Sequence, residues 1–472
     1  MAVLHGGEAT RGRHGALDTC LTARACYKTQ QMELRPYQAA AVTTIVGRMR
    51  QHRRVLAVAP TGSGKSVIAA SFVATKPRTR VLWVAHRIEL LRQACAHLTE
   101  AGVPGVGMLS GSERANENAH VVVASIDMLR THAPGHRDLV VVDEAHRIEA
   151  KTYQNLLDVL PSAKVLGLTA TPWRLDGQGL ANTFDDMLVM ATPQELMVDG
   201  HIARPLTYGI SLAKAREMVR GIHSKRGDYT PAALGEALMK APLLADAVDE
   251  TQRLAPGLPT LVFAVSRAHG RALHERFAQA GRSVAYVDGD TPAKERAQTL
   301  DDLRLGVVDV VVNIDVLTEG FDCPPVKCVA IVRPTRSLTR FLQFVGRAAR
   351  PYRGKRPIIL DHAGNCYRHG LPDAVREWTL EDAAPSDVTG SAPVKQCVEC
   401  GVMMTTASTV CPECGAEQPR SPREIEEERG HLERIRVAAE QRAELRVRVA
   451  ALAQRRGLSD YWVQQTMQRL TE

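Results

Sequence analysis

The chain has 472 residues, more than one ordinary hydrophobic core organises, and this length suits two or three domains. An apolar fraction of 44% and a charged fraction of 24% are typical of globular proteins. No stretch approaches the roughly 18 apolar residues that cross a bilayer, so no membrane partner is expected. The net charge of +8 favours polyanions only modestly, and an aromatic fraction of 4% argues against wide stacking platforms for nucleic-acid bases.

The N-terminal part alternates short apolar runs with segments of helical character. Residues 1–31 show neither the strand nor the helix period, so we expect a flexible tail there, and we hypothesise that translation starts at Met32. Continuous Val/Leu runs follow at residues 55–59, 81–85, 121–125, 139–143 and 165–170. Such runs are typical of strands covered on both faces, as in a parallel sheet. They predict a doubly wound α/β lobe over residues 32–200.

A second set of apolar runs repeats this pattern further along the chain. Residues 201–255 are expected to connect two lobes, and the new runs lie at residues 260–265, 284–289, 308–314, 327–332 and 357–360. They predict a second doubly wound lobe over residues 256–380. The predicted remainder is a linker over 381–396, a cysteine module over 397–414 and a charged helical tail over 420–472. A solvated helix is the favoured interpretation of the tail, and a partner-binding coiled coil is the alternative.

The segment APTGSGKS at residues 59–66 follows the first apolar run and precedes a helix-like stretch. This is the strand–loop–helix context of a phosphate-binding Walker loop. Gly62 and Gly64 would let backbone N–H groups turn toward phosphate oxygens, and the helix dipole adds its positive end. Lys65 is predicted to reach the β and γ phosphates of ATP, and Ser66 to ligate Mg²⁺. The predicted ATP-binding residues of this loop are Thr61, Gly62, Ser63, Gly64, Lys65 and Ser66.

The apolar run at 139–143 ends in two carboxylates, within LVVVDEAH. The carboxyl ends of parallel strands meet at one edge of a sheet, which is also where the Walker loop emerges. Asp143 is therefore predicted to hold Mg²⁺, and Glu144 to orient and deprotonate the attacking water. The alternative is an ordinary acidic helix cap after a strand.

The segment QFVGRAAR at residues 343–350 supplies cations far from the Walker loop in sequence. Gln343, Arg347 and Arg350 share one helical face by their i, i+4 and i+7 spacing. Two guanidinium groups could neutralise charge on the transferring γ-phosphoryl group, as arginine fingers do. They belong to the second lobe, so hydrolysis would require the lobes to close. The alternative is a solvated basic helix.

Taken together, the segments DEAH, TATP and QFVGRAAR resemble the signature set of helicase superfamily 2, over roughly residues 34–362. The resemblance implies an α/β protein of two tandem RecA-like lobes, here followed by a small zinc ribbon and a helical tail. Within the superfamily, the chain looks most similar to the bacterial RadD-type DNA repair helicases, with type III restriction subunits and the UvrB-like group as relatives. The segments that carry this finer resemblance are LRPYQ (34–38), GLTATPWRLDG (167–177), LTEGFDCP (317–324) and the cysteine module.

The resemblance also implies roles for single residues. Nucleotide contacts are implied for Arg35, Gln38, Gly320 and Asp322. Contacts with the nucleic-acid backbone are implied for His86, Arg87, Ser125 and Thr318. Coupling of the ATP state to lobe closure is implied for His146, Thr169 and Thr171. ATP-facing positions are implied for Gln343, Arg347 and Arg350.

Four of the ten cysteines cluster in two CxxC pairs, and the other six are scattered. This pattern is typical of a reducing compartment with one metal site rather than of a disulfide scaffold. Four thiolates suit tetrahedral Zn²⁺, which would supply the folding free energy of so small a module, while a redox pair and an iron–sulfur cluster are the alternatives. Whether the module touches DNA or braces the second lobe stays open. The predicted zinc ligands are Cys397, Cys400, Cys411 and Cys414.

The predicted function is that of an ATP-dependent DNA helicase or translocase in DNA repair or recombination, with ATP, Mg²⁺ and Zn²⁺ as cofactors. Nucleic acid is the expected partner, with DNA favoured over RNA, and the chain is expected to be a cytoplasmic, nucleoid-associated monomer. The alternatives are the motor subunit of a restriction system, a DEAH-type RNA helicase, and a nucleic-acid-binding protein with a vestigial ATPase. The joint presence of Lys65, Glu144 and Arg350 argues against the last, because a decayed site should have lost at least one of them.

Overall fold

The fold comes from a computed structural model. The structure describes residues 33–111, 113, 119–225, 227–239, 241–318, 320, 323–382, 394–419, 446–447, 449–451, 453–454 and 459–471. The predicted flexible tail at 1–31 and the predicted nucleotide contact Asp322 lie outside the described residues. So do residues 383–393 of the predicted linker and 420–445 of the predicted tail.

The first lobe contains a seven-stranded sheet with the strand order β3-β4-β2-β5-β6-β1-β7, and every neighbouring pair is parallel. Its strands are β1 (Arg54–Val58), β2 (Val81–Ala85), β3 (Val106–Leu109), β4 (Val121–Ser125), β5 (Leu139–Asp143), β6 (Lys164–Thr169) and β7 (Asp186–Val189). Its α-helices are α1 (Pro36–Gln51), α2 (Lys65–Ala74), α3 (Ile88–Glu100), α4 (Lys151–Val159) and α5 (Pro193–Val198), and short 3₁₀ helices cover Met128–Arg130 and Ala145–Arg147.

Successive residues of β1 pack on opposite faces of the first sheet. Val55 belongs to a core cluster with Ile45 of α1, whereas its neighbour Leu56 belongs to a cluster with Tyr153 of α4. Because side chains alternate along a strand, a strand with helices on both faces must be apolar throughout. This explains why the continuous Val/Leu runs predicted parallel strands. Strands β1 and β5 both pair in parallel with β6, so their carboxyl ends lie at the same edge of the sheet.

The second lobe contains a six-stranded parallel sheet with the order β12-β13-β11-β14-β15-β8. Its strands are β8 (Leu206–Gly209), β11 (Thr260–Phe263), β12 (Val284–Val287), β13 (Val310–Asn313), β14 (Cys328–Ile331) and β15 (Ile358–Asp361), and a two-stranded antiparallel hairpin pairs β9 (Ser224–Lys225) with β10 (Asp228–Tyr229). Its helices are α6 (Leu212–Met218), α7 (Pro231–Leu238), α8 (Ala241–Leu254), α9 (Arg267–Gln279), α10 (Ala293–Leu305), α11 (Leu338–Gly346) and α12 (Asn365–His369). Two tandem doubly wound lobes were expected, and this fold class is confirmed.

The segment 201–255, which we expected only to connect the lobes, contributes to the second lobe itself. Strand β8 pairs in parallel with β15, with Leu206 opposite Ile358. In the two large sheets, the strands that the apolar runs did not reveal, β3, β7 and β8, are all edge strands. Edge strands are covered on fewer sides than central ones, so their sequences need no continuous apolar run.

Two buried histidines in the second lobe make its stability sensitive to acid. His269 of α9 accepts a hydrogen bond from the backbone N–H of Val265 (3.3 Å), and His369 of α12 stacks on Phe341 with ring centroids 5.4 Å apart. Burial lowers the pKa of each imidazole from 6.5 to about 4. A depressed pKa in the folded state means that the unfolded chain binds protons first as the pH falls.

We therefore expect stability to be complete above pH 6.5 and to fall as the pH drops toward 4, with a loss of about 2 kcal/mol per histidine by pH 5. Urea unfolding followed by circular dichroism between pH 8 and pH 5 checks this. The variant His269→Asn keeps an oxygen acceptor near the Nδ1 position for the Val265 N–H but does not titrate, so its stability should depend less on pH. Equal unfolding midpoints at pH 8 and pH 5 in the unmodified protein would contradict the expectation.

The cysteine module is joined to the edge of the second lobe. Strands β16 (Val394–Gln396) and β17 (Met403–Thr405) form an antiparallel pair, and Val402 makes a β-bridge with Tyr208 of β8. Arg356 forms a bidentate ion pair with Glu413, with N–O distances of 2.8 and 2.5 Å. The module thus contacts the second lobe, which was one of the two options left open by the sequence.

Residues from Pro419 onward form a separate compact unit. Its last helix, α13 (Asp460–Thr471), buries Val463 in a small cluster with Val449 and Ala453. None of the helices in the described part of the chain combines the length and the apolar character that a bilayer crossing requires.

Candidate active site and metal centre

The loop at residues 59–66, hereafter the P-loop, joins the end of β1 to the start of α2. Gly62 and Gly64 have φ angles of +89° and +80°, which side chains with a Cβ rarely adopt. A Cβ on Gly64 would also lie 2.6 Å from Nε2 of Gln38. Both glycines are therefore required by the loop conformation, as expected for a backbone that wraps around phosphate.

Lys65 and Ser66 lie at the first turn of α2 and face the carboxylates of β5. The Lys65 ammonium is buried and donates to the carbonyl oxygens of Ala59 (3.1 Å) and Pro60 (3.4 Å). Burial lowers the pKa of Lys65, while the charges of Glu144 and Asp143 oppose that shift. The Ser66 hydroxyl donates to Oδ2 of Asp143 at 3.4 Å, so the two predicted Mg²⁺ ligands meet across the sheet edge.

Asp143 and Glu144 sit at the carboxyl end of β5. Glu144 has φ +54° and ψ +53°, a left-handed conformation that is uncommon for a residue other than glycine. Its backbone N–H donates to Oδ1 of Asp143 (3.0 Å), and its carboxylate lies 3.4 Å from Nδ1 of the buried His146. Burial first, and the neighbouring charge of Glu144 second, raise the pKa of Asp143. A divalent cation between Ser66 and Asp143 would offset this unfavourable burial of negative charge.

The end of α11, in the second lobe, packs directly on the P-loop of the first. A Cβ on Gly346 would lie 2.5 Å from Cβ of Thr61, so only glycine permits this approach. A Cβ on Gly62 would lie 3.6 Å from Cγ of Arg350. Burial is the main cause of the lowered pKa of Lys65, and the positive charges of Arg347 and Arg350 add to it. The structure thus brings both predicted arginines to the phosphate loop.

The helix before these arginines is shorter than the i, i+4, i+7 spacing of Gln343, Arg347 and Arg350 predicted. Helix α11 ends at Gly346 with Arg347 as its C-cap, and Arg350 lies beyond it in irregular structure. Pro351 follows Arg350 directly, and the residue before a proline is sterically disfavoured in helical conformation. Gln343 is buried and its carbonyl oxygen accepts from Nε of Arg347 at 3.3 Å. Burial lowers the pKa of Arg350 to about 10, so the side chain remains a cation at neutral pH.

The Gly346 contact yields a prediction about lobe packing. Gly346→Ala adds a single methyl group that must displace Thr61, and a misplacement of about 1 Å can lower a rate by ~10². We expect ATP turnover to fall by about this factor while the fold remains intact. The matched control is Gly47→Ala on the exposed face of α1, where an added Cβ meets nothing within 4 Å. Equal turnover in the two variants would show that the contact is unimportant.

The first turn of α1 also reaches the P-loop. The Gln38 side chain donates to the carbonyl oxygen of Ser63 at 3.3 Å, and the Tyr37 hydroxyl donates to the same oxygen. Gln38 also accepts the Arg35 backbone N–H at 3.0 Å, which caps α1. The Arg35 side chain is exposed beside them. Tyr37 was not predicted as a site residue, because a single tyrosine after a proline does not indicate a binding site.

The TATP segment, residues 169–172, touches the second lobe through hydroxyl groups. Thr169 donates to the carbonyl oxygen of Thr171 at 2.7 Å, and Thr171 shares a 2.7 Å hydrogen bond with the hydroxyl of Thr339 on α11. The Thr339 hydroxyl also donates to the carbonyl oxygen of Trp173 at 3.2 Å. All of these side chains are buried. Thr339 is a contact that the sequence analysis missed, since its partner is 168 residues away.

The predicted nucleic-acid contacts lie at the carboxyl ends of strands in both lobes. Ser125 ends β4 and pairs in register with Ala85 of β2, which is followed by His86 and Arg87. Arg87 spans the lobes, donating to the carbonyl oxygens of Val316 (2.9 Å) and Asp315 (3.2 Å).

Two further predicted positions lie on the second-lobe side of this contact. The hydroxyl of Thr318 donates to the carbonyl oxygen of Asp315 at 3.0 Å. A Cβ on Gly320 would lie 3.6 Å from Cδ of Arg87. Arg87, Thr318 and Gly320 therefore lie around one inter-lobe contact.

An apolar cavity of about 290 Å³ also lies between the lobes. Pro60 and Thr61 line it from the first lobe, Gly346 and Ala349 from the second, and Trp378 from the segment after the second lobe. The carboxylates of β5 and Lys65 do not line it. The cavity is thus adjacent to the phosphate loop but separate from the charged groups that would handle ATP.

The four clustered cysteines have the geometry of a tetrahedral metal site. Their sulfur atoms all lie within 4.8 Å of one another, and the Cys397–Cys414 and Cys400–Cys411 sulfurs are 3.6 and 3.7 Å apart. A tetrahedron with Zn–S bonds of about 2.3 Å has edges of ~3.8 Å, so the four sulfurs fit Zn²⁺. Backbone N–H groups and the Gln418 amide donate to the sulfurs, as the outer shell of a metal–thiolate site does. The cluster could therefore bind zinc.

We expect the purified protein to contain about one zinc ion per chain. Cys411→Ser removes one thiolate and should lower the zinc content well below one, because three thiolates no longer close the site. The matched control is Cys95→Ser in α3, a half-buried cysteine outside the cluster, which should keep the full zinc content. Elemental analysis measures both variants, and a zinc-free native protein would contradict tetrathiolate binding.

The chain has two tandem parallel-sheet lobes, a P-loop followed by two adjacent carboxylates in the first lobe, and arginines from the second lobe. These features define a two-lobe P-loop ATPase. Residues 31–174 match the family described as type III restriction enzyme, res subunit, and residues 240–352 match the helicase conserved C-terminal domain. The chain belongs to the superfamily 2 helicases, which are nucleic-acid-dependent ATPases.

Relatives of this chain cover most of its length. It is 32% identical over 367 residues to a 51.5 kDa protein of a Lactococcus phage, covering 75% of this chain and 76% of that one. It is 29% identical over 382 residues to a candidate mitochondrial ATP-dependent helicase, irc3, of Schizosaccharomyces pombe, covering 76% of this chain. The chain spans only 61% of the length of that yeast protein.

Among solved structures, the chain is similar to a fragment of an HsdR subunit of a type I restriction enzyme from Vibrio vulnificus. The TM-score is 0.56 and the identity 20%, covering 71% of this chain and 65% of that one. At this identity the likeness concerns the fold alone, and it agrees with the tandem lobes described above.

Proposed function

We propose that this chain is a DNA translocase or helicase that hydrolyses ATP between its two lobes and acts in DNA repair or recombination. The single observation that carries the proposal is the packing of Gly346 on Thr61, which holds Arg347 and Arg350 against the P-loop. An ATPase whose cations come from the opposite lobe turns over only when the lobes are closed. Whatever strand spans the lobes can then control hydrolysis.

The residues present fit ATP with Mg²⁺. Ser66 and Asp143 would hold the cation, whose positive charge would neutralise charge on the phosphates. Lys65 would leave the carbonyl oxygens of Ala59 and Pro60 for the phosphates, because an ammonium gains more from an anion than from neutral acceptors. Glu144 would orient the attacking water and accept its proton.

DNA is proposed as the substrate because the matching family is that of restriction enzyme res subunits, and restriction enzymes act on DNA. The finer resemblance to RadD-type repair helicases supports a role in repair. The same family match favours a second candidate, the motor subunit of a restriction system. A motor of that kind would require a nuclease partner, whereas a repair translocase would work as the monomer that we propose here.

The test is ATP hydrolysis by the purified protein with no nucleic acid, single-stranded DNA, duplex DNA or RNA. Because the strand would be held mainly through its phosphates, the stimulation should decline steeply as salt rises. We expect DNA to stimulate turnover strongly and RNA to have little effect. Stimulation by RNA alone would favour an RNA helicase, and a rate that no nucleic acid changes would contradict the proposal.

A further inference from the structure

After the last strand of the second lobe, the chain returns to the first lobe. We call residues 371–382 the return strap. The Leu380 carbonyl oxygen accepts hydrogen bonds from the backbone N–H groups of Leu180 (2.7 Å) and Ala181 (3.0 Å), and the Asp382 carboxylate accepts from the Gly179 N–H (2.8 Å). These contacts join the end of the strap to the segment that follows the TATP segment in the first lobe.

The fit between the strap and the first lobe is close. A Cβ on Gly179 would lie 2.1 Å from the Leu380 carbonyl oxygen, so the two backbones approach as only glycine allows. Leu380 and Trp378 also pack against the apolar core on one face of the first sheet. The strap end is thus docked by backbone hydrogen bonds and by apolar burial together.

Trp173 is the residue where the strap, α11 and the TATP segment meet. Its indole N–H donates to the Glu381 carbonyl oxygen at 2.9 Å, and its ring meets the Trp378 ring edge-on, with centroids 5.0 Å apart at 66°. Its carbonyl oxygen accepts from Thr339, the α11 hydroxyl that also bonds Thr171. Trp173 of the first lobe therefore contacts two separate elements, the strap through its indole side chain and α11 through its backbone carbonyl oxygen.

Two residues of the strap also line a cavity between the lobes. Ala374 and Trp378 line the 290 Å³ cavity described above, whose other walls include the P-loop residue Thr61 and Gly346 of α11. The strap therefore borders both the apolar core of the first lobe and a cavity whose wall includes the P-loop.

We propose that Trp173 is a positioning residue for ATP hydrolysis, which holds the TATP segment in register with α11 when the return strap is docked. The inference rests on the proposed function, since it assigns Trp173 a part in the same turnover. Trp173 touches none of the predicted phosphate or Mg²⁺ groups. Its loss should therefore lower kcat and leave the KM for ATP unchanged, because the TATP segment would no longer fix the arginines in place.

The experiment measures DNA-stimulated ATP turnover in three variants. Trp173→Phe keeps an aromatic ring but loses the N–H, and Trp378→Ala removes the ring of the half-buried strap residue. Each should lower kcat by about five- to tenfold with KM within about twofold, the sizes expected for one hydrogen bond or one aromatic pair. Trp462→Phe, in the separate C-terminal unit, is the control and should keep the parent kcat.

A second measurement reports the contact directly. The Trp173–Trp378 pair is close enough for exciton coupling in far-ultraviolet circular dichroism, and either variant should abolish that signal while the thermal unfolding transition remains cooperative. If the parent protein is active and Trp173→Phe and Trp378→Ala both show a normal kcat, the role of Trp173 is overturned but the proposed function is not. A parent protein without ATP turnover would overturn the proposed function, and this inference with it.

Discussion

Arg350→Ala is expected to lower the ATP turnover number by ~10³ while ATP binding is retained, because arginine fingers contribute at least this much to phosphoryl transfer. Arg350 is half-buried beside Gly62 of the P-loop, and its charge acts on Lys65 although the two residues belong to different lobes. Removing it leaves the phosphate-binding loop of the first lobe complete. Binding should therefore persist, and only the transition state should lose its compensating charge.

Two controls make this prediction specific. Arg353→Ala removes an exposed arginine three residues away, whose guanidinium lies over the ring of Tyr352, and it should leave turnover unchanged. Arg350→Lys keeps the charge but not the planar fork, so a partial loss is expected. Steady-state turnover and binding of a fluorescent ATP analogue measure the two effects separately. Normal turnover in Arg350→Ala would remove the arginine from the reaction.

Glu144→Gln is expected to lower turnover by about 10²–10⁴, because the side chain keeps its size but no longer accepts a proton from water. Glu144 is held in a left-handed backbone conformation at the end of β5, with its N–H bonded to Asp143. A residue held in such a costly conformation points to a functional requirement at that position. Because neither Lys65 nor Ser66 is altered, ATP should bind and remain unhydrolysed.

The matched control for Glu144 is Asp158→Asn, which neutralises an exposed carboxylate on α4 and should not affect turnover. Lys65→Ala provides the opposite comparison, since loss of the phosphate-binding cation should abolish turnover and weaken ATP binding. Rapid-quench measurement of a single turnover separates the chemical step from product release. A chemical step of normal rate in Glu144→Gln would exclude this residue as the general base.

Central strands and phosphate-binding segments could be predicted because their physical requirements are local. A strand buried on both faces must be apolar throughout, and a phosphate loop needs glycines and a lysine at fixed spacing. Edge strands such as β8 carry no such requirement, so the segment that contains it was expected only to connect the lobes. We predicted that the helix with Gln343 and Arg347 continues to Arg350, and this was wrong because the helix ends at Gly346. Pro351 disfavours a helical conformation at Arg350, the residue before it.

The inter-lobe contacts were the part of the site that could not be predicted. Thr339 and Trp173 have no distinctive spacing, and their importance comes from partners more than 160 residues away. Within QFVGRAAR, nothing in the sequence indicated that Gly346 packs on Thr61, because this contact depends on how the two lobes meet. The CxxC spacing predicted four converging sulfurs, but the attachment of the module to β8 through Tyr208 and Val402 required the fold.

We infer that residues of both lobes build a single ATP site. The most direct measurement is a crystal structure of the protein with Mg²⁺, a non-hydrolysable ATP analogue and single-stranded DNA. We predict that Lys65 and at least one guanidinium group of Arg347 or Arg350 contact oxygens of the same γ-phosphate, at about 3 Å. An analogue held by the P-loop alone, with both arginines beyond hydrogen-bond reach of the triphosphate, would contradict a site shared by the two lobes.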